Sequence, residues 1–250
     1  MGFWPVVLNV IRNSDIVLLV VDARMPELTQ NSEIISKAEA LNKRVTVVFT
    51  KCDLVGKREK LLLKKAYPNT HLVSGTKKTG IKDLKKYLEN AADNWNQNSL
   101  RIGVVGYPNV GKSTLINLLI PGAKAKVSSM SGTTKKTQWI RGGNLRIMDS
   151  PGVIPFEDKN AKLGLTASKD PHKLRNPEFI ALKIIDYLID KKAGVLGRFY
   201  GVEETKDKYN LILAIGKKRG YLQKGGTVDE HRTAIRIIDD WQKGKINLNF

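Results

Sequence analysis

The stretch GVVGYPNVGKST, residues 103–114, contains the spacing Gly106-x-x-x-x-Gly111-Lys112-Ser113. An apolar run precedes it and the helical pattern KSTLINLLI overlaps its end, which is the context that a phosphate-binding loop requires. Glycines let backbone N–H groups turn toward phosphates, and the helix N-terminus adds its positive dipole. Lys112 adds a point charge and the Ser113 hydroxyl suits Mg²⁺. We therefore predict phosphate binding by Asn109, Val110, Gly111, Lys112, Ser113 and Thr114.

Apolar runs alternate with helical patterns on the N-terminal side of this loop. The runs are rich in Val and Ile, as expected of buried parallel strands, and they lie at 15–23, 44–51, 70–74 and 101–107. Helical patterns lie between them at 32–41, 57–66 and 81–95. This alternation predicts an α/β fold, a mostly parallel sheet with helices on both faces. After the loop, residues 136–150 indicate a hairpin that turns at Gly142-Gly143-Asn144.

The pattern changes after Pro151. Three helical patterns follow, with no strand between them, at 177–192, 209–220 and 227–244. The last begins with Thr227 and Glu230 at the spacing of a capping box. We therefore predict two domains: residues 1–160 with the sheet, and residues 161–250 as a linker and a small all-helical domain.

The charge balance is strongly basic. The 43 Lys and Arg against 24 Asp and Glu give a formal net charge of +19, which favours a polyanionic partner such as nucleic acid. The single cysteine, Cys52, excludes an internal disulfide and suits a reducing compartment, so we expect a cytoplasmic protein. The longest apolar runs have strand length and fall far short of the ~20 residues of a membrane helix, so we expect no membrane span.

The tetrapeptide Thr50-Lys51-Cys52-Asp53 lies at the end of the second predicted strand. A carboxylate can accept hydrogen bonds from both the imino and the amino hydrogens of guanine, and adenine offers no such pair. Two charge-assisted bonds of ~1.5–3 kcal/mol each would discriminate strongly between the bases. Lys51 can lie over the base with its alkyl stem. We therefore predict that Asp53 reads guanine.

Three further elements have residue types that suit contacts with a guanine nucleotide and its Mg²⁺. The turn Ser74-Gly75-Thr76 follows the next strand, and its backbone could reach the guanine carbonyl. Gly132-Thr133-Thr134 is a candidate Mg²⁺-sensing switch, in which either threonine could be the ligand. Asp149 ends the hairpin, where it could hold Mg²⁺ through water, and the Gly152 N–H could meet the γ-phosphate.

In chain order the five elements read TKCD, SGTK, GYPNVGKS, SGTT and DSPG. On these motifs the sequence resembles the circularly permuted GTPases of the YlqF/RbgA ribosome-assembly family, in which the guanine-reading elements precede the phosphate loop. The resemblance covers nearly the whole chain, including DARMPELTQN after the first strand and the C-terminal helical segment. It implies a circularly permuted P-loop G domain followed by a small helical, basic, RNA-binding domain.

The resemblance also implies a function. We expect a GTPase that hydrolyses GTP to GDP and phosphate and acts as a switch in assembly of the large ribosomal subunit, with rRNA as a partner and the chain a monomer. The expected catalytic residues are Lys112, Thr134 and Gly152, and the expected Mg²⁺ ligands are Ser113, Thr134 and Asp149. Two alternatives stay open: a GTPase that acts on another RNA or a protein client, and an RNA-binding module in which GTP is mainly structural.

The sequence departs from the expected pattern in three respects, and one further residue suggests an ion. Residues 1–15 contain no histidine, whereas bacterial members of the family carry one there that is proposed to help catalysis, so that role is not transferred. Thr50 stands where the family usually has Asn, so the hydrogen bond between the two loops must come from a hydroxyl or be lost. Val153 stands where Ras-type GTPases have a water-orienting glutamine, and the family likewise has a hydrophobic residue at this position. We therefore expect slow intrinsic hydrolysis that a partner stimulates. Asn109 matches the asparagine that helps related GTPases bind K⁺, which makes K⁺ a candidate cofactor.

Overall fold

A computed structural model describes residues 4–95, 99–122, 125, 138–152, 164–166, 169–205 and 207–249. The chain divides into two compact units, of which the first ends at Glu157 and the second begins at Asp158. The domain boundary predicted after residue 160 falls outside the described residues and stays a prediction.

The first unit is an α/β fold, as predicted. Its helices are α1 (Trp4–Arg12), α2 (Pro26–Thr29), α3 (Ser32–Ala40), α4 (Lys57–Ala66), α5 (Ile81–Asp93) and α6 (Lys112–Leu119). Its strands are β1 (Ile16–Asp22), β2 (Arg44–Thr50), β3 (His71–Leu72), β4 (Leu100–Gly106), β5 (Gln138–Gly142) and β6 (Leu145–Asp149). They form one sheet in the order β3-β2-β1-β4-β6-β5, in which β5 pairs antiparallel with β6 and the other pairs are parallel.

Helices cover both faces of this sheet. On one face α5 and α6 pack through Leu84, Leu88 and Leu115 against the sheet. On the other face α1 and α3 pack through Val7 and Ile34. Strand β1 lies in the middle and is buried along its whole length, which explains the unbroken apolar sequence of residues 16–21.

The parallel register brings the strand ends together. Asp22 at the end of β1 pairs with Thr50 at the end of β2, and Val20 pairs with Gly106 at the end of β4. Asp149 ends β6 beside Val104 of β4. Because the carboxyl ends of parallel strands meet at one edge of a sheet, the residues that follow them share that edge. Strand β3 is shorter than predicted because it pairs with β2 only at Val48 and Phe49, before the chain turns away.

The second unit is helical in its described part. Its helices are α7 (Pro177–Lys191), α8 (Val195–Tyr200), α9 (Lys208–Lys218) and α10 (Glu230–Gln242). Buried Ile184, Leu188, Ile237 and Trp241 lie on α7 and α10. None of the helices in the described residues is both long and apolar enough to cross a membrane.

The predicted capping box of α10 was wrong. The N-cap is Asp229, whose side chain accepts a hydrogen bond of 2.9 Å from the backbone N–H of Arg232. Thr227 instead accepts a backbone hydrogen bond from Gln223 in a tight turn, and an isolated bridge pairs Leu222 with Val228. This bridge holds the chain extended until just before Asp229, so the helix begins two residues later than a Thr227 cap would place it.

Candidate nucleotide-binding site

The phosphate loop begins where β4 ends. Gly106 has φ 145° and Gly111 has φ 101°, and Asn109 between them has φ 57°. A Cβ atom added at Gly106 would lie 2.4 Å from the backbone oxygen of Val20, so no side chain fits there. The glycines are thus required both for the backbone conformation and for the close approach to β1.

Lys112, the first residue of α6, lies inside this loop. Its side chain is buried, and Nζ donates to the carbonyl oxygens of Gly106 at 3.1 Å and Tyr107 at 2.6 Å. Burial lowers its pKa to about 8, although the negative charge of Asp149 opposes part of that shift. The ammonium is therefore at the centre of the loop, where a phosphate would replace backbone carbonyls as its partner.

The side chains of Ser113 and Asp149 lie together beside the loop and could both be metal ligands. Ser113 Oγ donates a hydrogen bond of 2.9 Å to Asp149 Oδ2. A hydroxyl and a carboxylate are hard oxygen donors that fit Mg²⁺, which is usually bound by one or two protein groups together with substrate phosphates and waters. Among the described residues there is no cluster of three or more His, Cys, Asp or Glu that could hold a metal alone. The candidate switch residues Thr133 and Thr134 lie outside the described residues.

Gly152 follows the end of β6 and packs against the phosphate loop. A Cβ atom added at this position would lie 2.6 Å from the backbone nitrogen of Pro108. Only a glycine allows the two backbones to come so close. The Gly152 segment is therefore adjacent to the loop, and Val153, the next residue, lies outside the described residues.

The residues predicted to read the base follow β2. Lys51 has the left-handed conformation, with φ 55°, and turns the chain into a short 3₁₀ helix, Cys52–Leu54, that carries Asp53. Thr76 Oγ1 donates to Asp53 Oδ2 at 3.4 Å, whereas Asp53 Oδ1 is buried and has no hydrogen-bond partner among the described residues. A buried carboxylate oxygen without a donor fits the N–H groups of a guanine base.

The turn after β3 contacts both halves of this edge. The backbone N–H of Cys52 donates to the Val73 carbonyl at 3.1 Å, and that of Lys77 donates to Ser74 Oγ at 3.0 Å. A Cβ atom added at Gly75 would lie 2.9 Å from Thr114 Cγ2 of α6. The turn that contains Ser74, Gly75 and Thr76 therefore lies between the base-reading residues and the phosphate-loop helix.

Thr50 links the strand of the base reader to the phosphate loop. Its Oγ1 lies 2.5 Å from the carbonyl oxygen of Val110 and 3.1 Å from that of Val21. A hydroxyl has one proton, so the shorter contact takes it. Of the two outcomes that the sequence left open, the structure has the hydroxyl making the loop-to-loop bond. The role of Asn109 as a K⁺ ligand stays a prediction.

A buried ionic cluster adjoins this edge and was not predicted from the sequence. Asp22, Arg24 and Lys51 share it, with Arg24 Nη2 and Lys51 Nζ both 2.8 Å from Asp22 Oδ2. Burial alone would raise the pKa of Asp22, but the charges of Arg24 and Lys51 outweigh it and hold the pKa well below its usual range. The sequence signal was an Asp that ends an otherwise apolar strand, with an Arg two residues later.

The second unit carries a basic surface of its own. From Lys206 to Lys224 the sequence has six Lys or Arg and one Asp. Lys217, Lys218 and Arg219 are exposed at the end of α9. Tyr209 is half-exposed and its hydroxyl donates to Glu230, while Arg232 lies over the ring of Tyr221. This surface suits contacts with a phosphate backbone.

Comparison with known proteins gives matches to GTPase families. Residues 7–158 match the family model described as RsgA GTPase, and residues 101–217 match the one described as 50S ribosome-binding GTPase. The chain is 37% identical over 244 residues to an uncharacterized GTP-binding protein of Methanocaldococcus jannaschii, covering 97% of this chain and 65% of that protein. It is 31% identical to nuclear/nucleolar GTPase 2 of Arabidopsis thaliana, covering 97% of this chain and 43% of that protein.

The chain thus spans less than two thirds of the length of these curated relatives. Among solved structures, GNP-bound YlqF from T. maritima superposes with a TM-score of 0.65 at 22% sequence identity, covering 98% of this chain and 95% of that one. This likeness establishes a shared fold.

Proposed function

Because the chain belongs to the circularly permuted GTPases of the YlqF/RbgA-like family, we propose that it binds GTP, hydrolyses it to GDP and phosphate, and acts as a switch in assembly of the large ribosomal subunit. The observation that carries this proposal is the arrangement at one edge of the sheet. Thr50 donates a hydrogen bond to Val110 of the phosphate loop, which is built around Lys112. On the other side of this hydrogen bond is Asp53, which keeps a buried oxygen without a donor among the described residues.

Guanine binding follows from the carboxylate of Asp53. The imino and amino hydrogens of guanine would donate to it, and the backbone of Gly75 and Thr76 would face the base carbonyl. Adenine would leave the buried Asp53 oxygen unpaired, which costs more than a missing contact at the surface. We therefore assign base recognition to Lys51, Asp53, Ser74, Gly75 and Thr76.

Hydrolysis would take place beside Lys112 and Gly152. Water attacks the γ-phosphorus, the bond to the bridging oxygen breaks, and GDP is the leaving group. Lys112 and the Gly152 N–H stabilise the charge that spreads over the phosphoryl oxygens, with Thr134 or Thr133 as the switch residue. Val153 cannot orient water as glutamine does, so we expect a slow intrinsic rate. A partner, or K⁺ if Asn109 helps to hold it, would supply the missing stabilisation.

Mg²⁺ would be held by Ser113, a switch threonine and, through water, Asp149. Bound there, it would neutralise negative charge on the phosphates during the reaction. The pair of Ser113 and Asp149, 2.9 Å apart, supports this assignment.

The ribosomal role rests on charge and on the names of the relatives. The net charge is +19, and one matching family is described as ribosome-binding GTPases. The exposed basic end of α9 would contact rRNA phosphates. We propose a monomer in the cytoplasm, and we keep as alternatives a GTPase for another RNA or a protein client, and an RNA-binding module that uses GTP structurally.

The test is GTP turnover by the purified protein, alone and with large ribosomal subunits, small subunits or tRNA. We expect large subunits to raise turnover about tenfold or more, since activating partners of GTPases act at least this strongly. Stimulation by tRNA alone would favour the other-RNA alternative. Binding to subunits with no hydrolysis in any mixture would favour the structural role of GTP.

A matched pair of variants separates the rRNA contact from net charge. Lys217→Ala/Lys218→Ala removes two exposed charges from α9, and Lys64→Ala/Lys65→Ala removes two exposed charges from α4. We expect the α9 variant to co-sediment less with large subunits and the α4 variant to resemble the unmodified protein. Equal losses would mean that binding follows overall charge rather than this surface.

A further inference from the structure

Two cations share the carboxylate of Asp22 at the ends of β1 and β2. Arg24 donates from Nη2 to Asp22 Oδ2 at 2.8 Å and from Nε to Oδ1 at 3.1 Å, and its backbone N–H reaches Oδ1 at 3.0 Å. Lys51 Nζ lies 2.8 Å from Oδ2. The side chains of Asp22 and Arg24 are 1% and 0% exposed, while that of Lys51 is 23% exposed. The ammonium of Lys51, at the edge of the site, is therefore paired with the buried carboxylate of Asp22.

Lys51 has a second acidic neighbour, Asp53, in the same turn. Burial lowers the pKa of Lys51 most, Asp22 opposes this, Arg24 lowers it further, and the charge of Asp53 raises it. Both carboxylates therefore attract the ammonium, but it is bonded to Asp22. Asp53 keeps one buried oxygen that no described residue donates to.

Whether the Lys51 ammonium pairs with Asp22 or with Asp53 affects how Asp53 can bind the base. An aspartate has two oxygens and a limited number of lone pairs in the plane of a bound guanine. An ammonium paired with Asp53 would compete with the guanine N–H groups for those oxygens and would neutralise the charge that strengthens those bonds. Asp22 removes this competitor, and the bidentate contact with Arg24 fixes Asp22 in place.

We propose that Asp22, held by Arg24, is a positioning residue for base selection: it keeps the Lys51 ammonium away from Asp53 and so leaves the Asp53 carboxylate to guanine. This inference rests on the proposed binding of GTP. It concerns how strongly the site distinguishes guanine from bases that lack the 2-amino group, such as the hypoxanthine of inosine triphosphate.

The experiment compares dissociation constants for GTP and ITP by calorimetry. The unmodified protein should prefer GTP about tenfold or more, because ITP lacks one charge-assisted hydrogen bond to Asp53. In Asp22→Asn the freed Lys51 would pair with Asp53, so the preference should fall to about threefold or less. Lys51→Met should bind both nucleotides more weakly but keep the preference, since Asp53 then has no competing ammonium.

The double variant Asp22→Asn/Lys51→Met distinguishes positioning from a general structural role. If Asp22 acts through Lys51, the double variant should have the same GTP-to-ITP ratio as Lys51→Met. If Asp22→Asn lowered the GTP-to-ITP ratio equally in the unmodified protein and in Lys51→Met, the inference would be overturned. An unchanged ratio in folded Asp22→Asn would overturn it too.

Asp22→Asn leaves Arg24 buried without its counter-ion and could fail to fold. Asp22→Asn/Arg24→Met removes both charges, a change that buried ion pairs often tolerate, and leaves Lys51 equally free to reach Asp53. This double variant should show the same loss of preference for GTP over ITP. An unchanged GTP-to-ITP ratio in it would refute the inference. If the unmodified protein does not prefer GTP over ITP and ATP, the proposed function itself fails, a result distinct from any change confined to the variants.

Discussion

The phosphate side and the base side of the site differ in how their polar groups are satisfied. On the phosphate side Lys112 donates to two loop carbonyls, and Ser113 donates to Asp149. On the base side Asp53 keeps a buried oxygen that no described residue donates to, and the neighbouring Lys51 is bonded to Asp22. The donors Lys112 and Ser113 of the first half already have protein partners, whereas the second half keeps an acceptor oxygen to which no described residue donates.

This difference assigns different energetic roles to the two halves. Phosphates must displace protein partners of Lys112 and Ser113, so part of the gain from each new bond replaces a bond that was already present. Guanine would gain a bond to Asp53 Oδ1 without such an exchange, because no described residue donates to that oxygen. We therefore expect the base side to determine which nucleotide binds, and the phosphate side to determine how affinity responds to charge and pH.

The strongest test of the phosphate side is Lys112→Met. Its loss removes the ammonium from two or more charge-assisted hydrogen bonds with phosphate oxygens, so GTP affinity should fall about a hundredfold or more. Calorimetric titration measures this. Lys82→Met, an exposed lysine on α5, is the control and should bind as the unmodified protein does. Affinity for GTP within threefold in Lys112→Met would mean that the exchange of carbonyls for phosphate contributes almost nothing.

The base side is tested by Asp53→Asn. The amide offers one acceptor and one donor in place of two acceptors, so GTP affinity should fall about ten- to a hundredfold. Xanthosine triphosphate, whose extra carbonyl accepts from the new amide, should bind the variant better than GTP. Asp83→Asn on α5 is the matched control. Unchanged affinity for GTP in Asp53→Asn would show that the base lies elsewhere.

Sequence patterns predicted the framework of both halves. Spacing and context together predicted the phosphate loop at Gly106, Gly111 and Lys112, because such a loop needs these residue types at fixed positions between a strand and a helix. Apolar runs predicted the parallel sheet, and its parallel order places the motifs at one edge. The assignment of Asp53, Thr76 and the other site residues to GTP stays a prediction that the geometry supports.

The differences between the two halves could not be predicted from sequence. The carbonyl partners of Lys112 depend on the folded path of the loop, which the spacing of its glycines does not specify. The cluster of Asp22, Arg24 and Lys51 depends on the register that pairs Asp22 with Thr50, and a sequence does not distinguish buried charges from solvated ones. Thr227 was wrongly predicted as a cap because the bridge between Leu222 and Val228 keeps the chain extended until just before α10, and no sequence pattern indicated that bridge.

The dependence of GTP affinity on pH should distinguish the phosphate side from the base side. With the pKa of Lys112 lowered to about 8, its ammonium is mostly present below that pH and is lost above it. Phosphate binding favours the charged form, so GTP affinity should be nearly constant from pH 7 to 8 and then fall by up to tenfold per unit. Calorimetry up to pH 9 measures the slope. Guanosine shares the base but has no phosphate, so any decrease that it shows belongs to the base side and is subtracted. Equal slopes for GTP and guanosine would contradict the role assigned to Lys112.

The smallest expected effect concerns the bond between the halves. Thr50→Val keeps the shape of the side chain but removes the hydroxyl that lies 2.5 Å from the Val110 carbonyl. One hydrogen bond of this kind contributes about 1 kcal/mol, so GTP and GDP should each bind about fivefold more weakly. Thr46→Val removes a hydroxyl from the same strand that contacts Tyr87 instead, and should leave both affinities unchanged.

Guanosine shows which half Thr50 supports. If the hydroxyl orients the phosphate loop, guanosine should bind Thr50→Val and the unmodified protein equally, because it makes no contact with that loop. Thr50→Asn, which supplies an amide donor to Val110, should recover GTP affinity. If guanosine binding falls as much as GTP binding, Thr50 instead supports the base side through the turn into Lys51, and the two halves are less separate than their hydrogen bonds suggest.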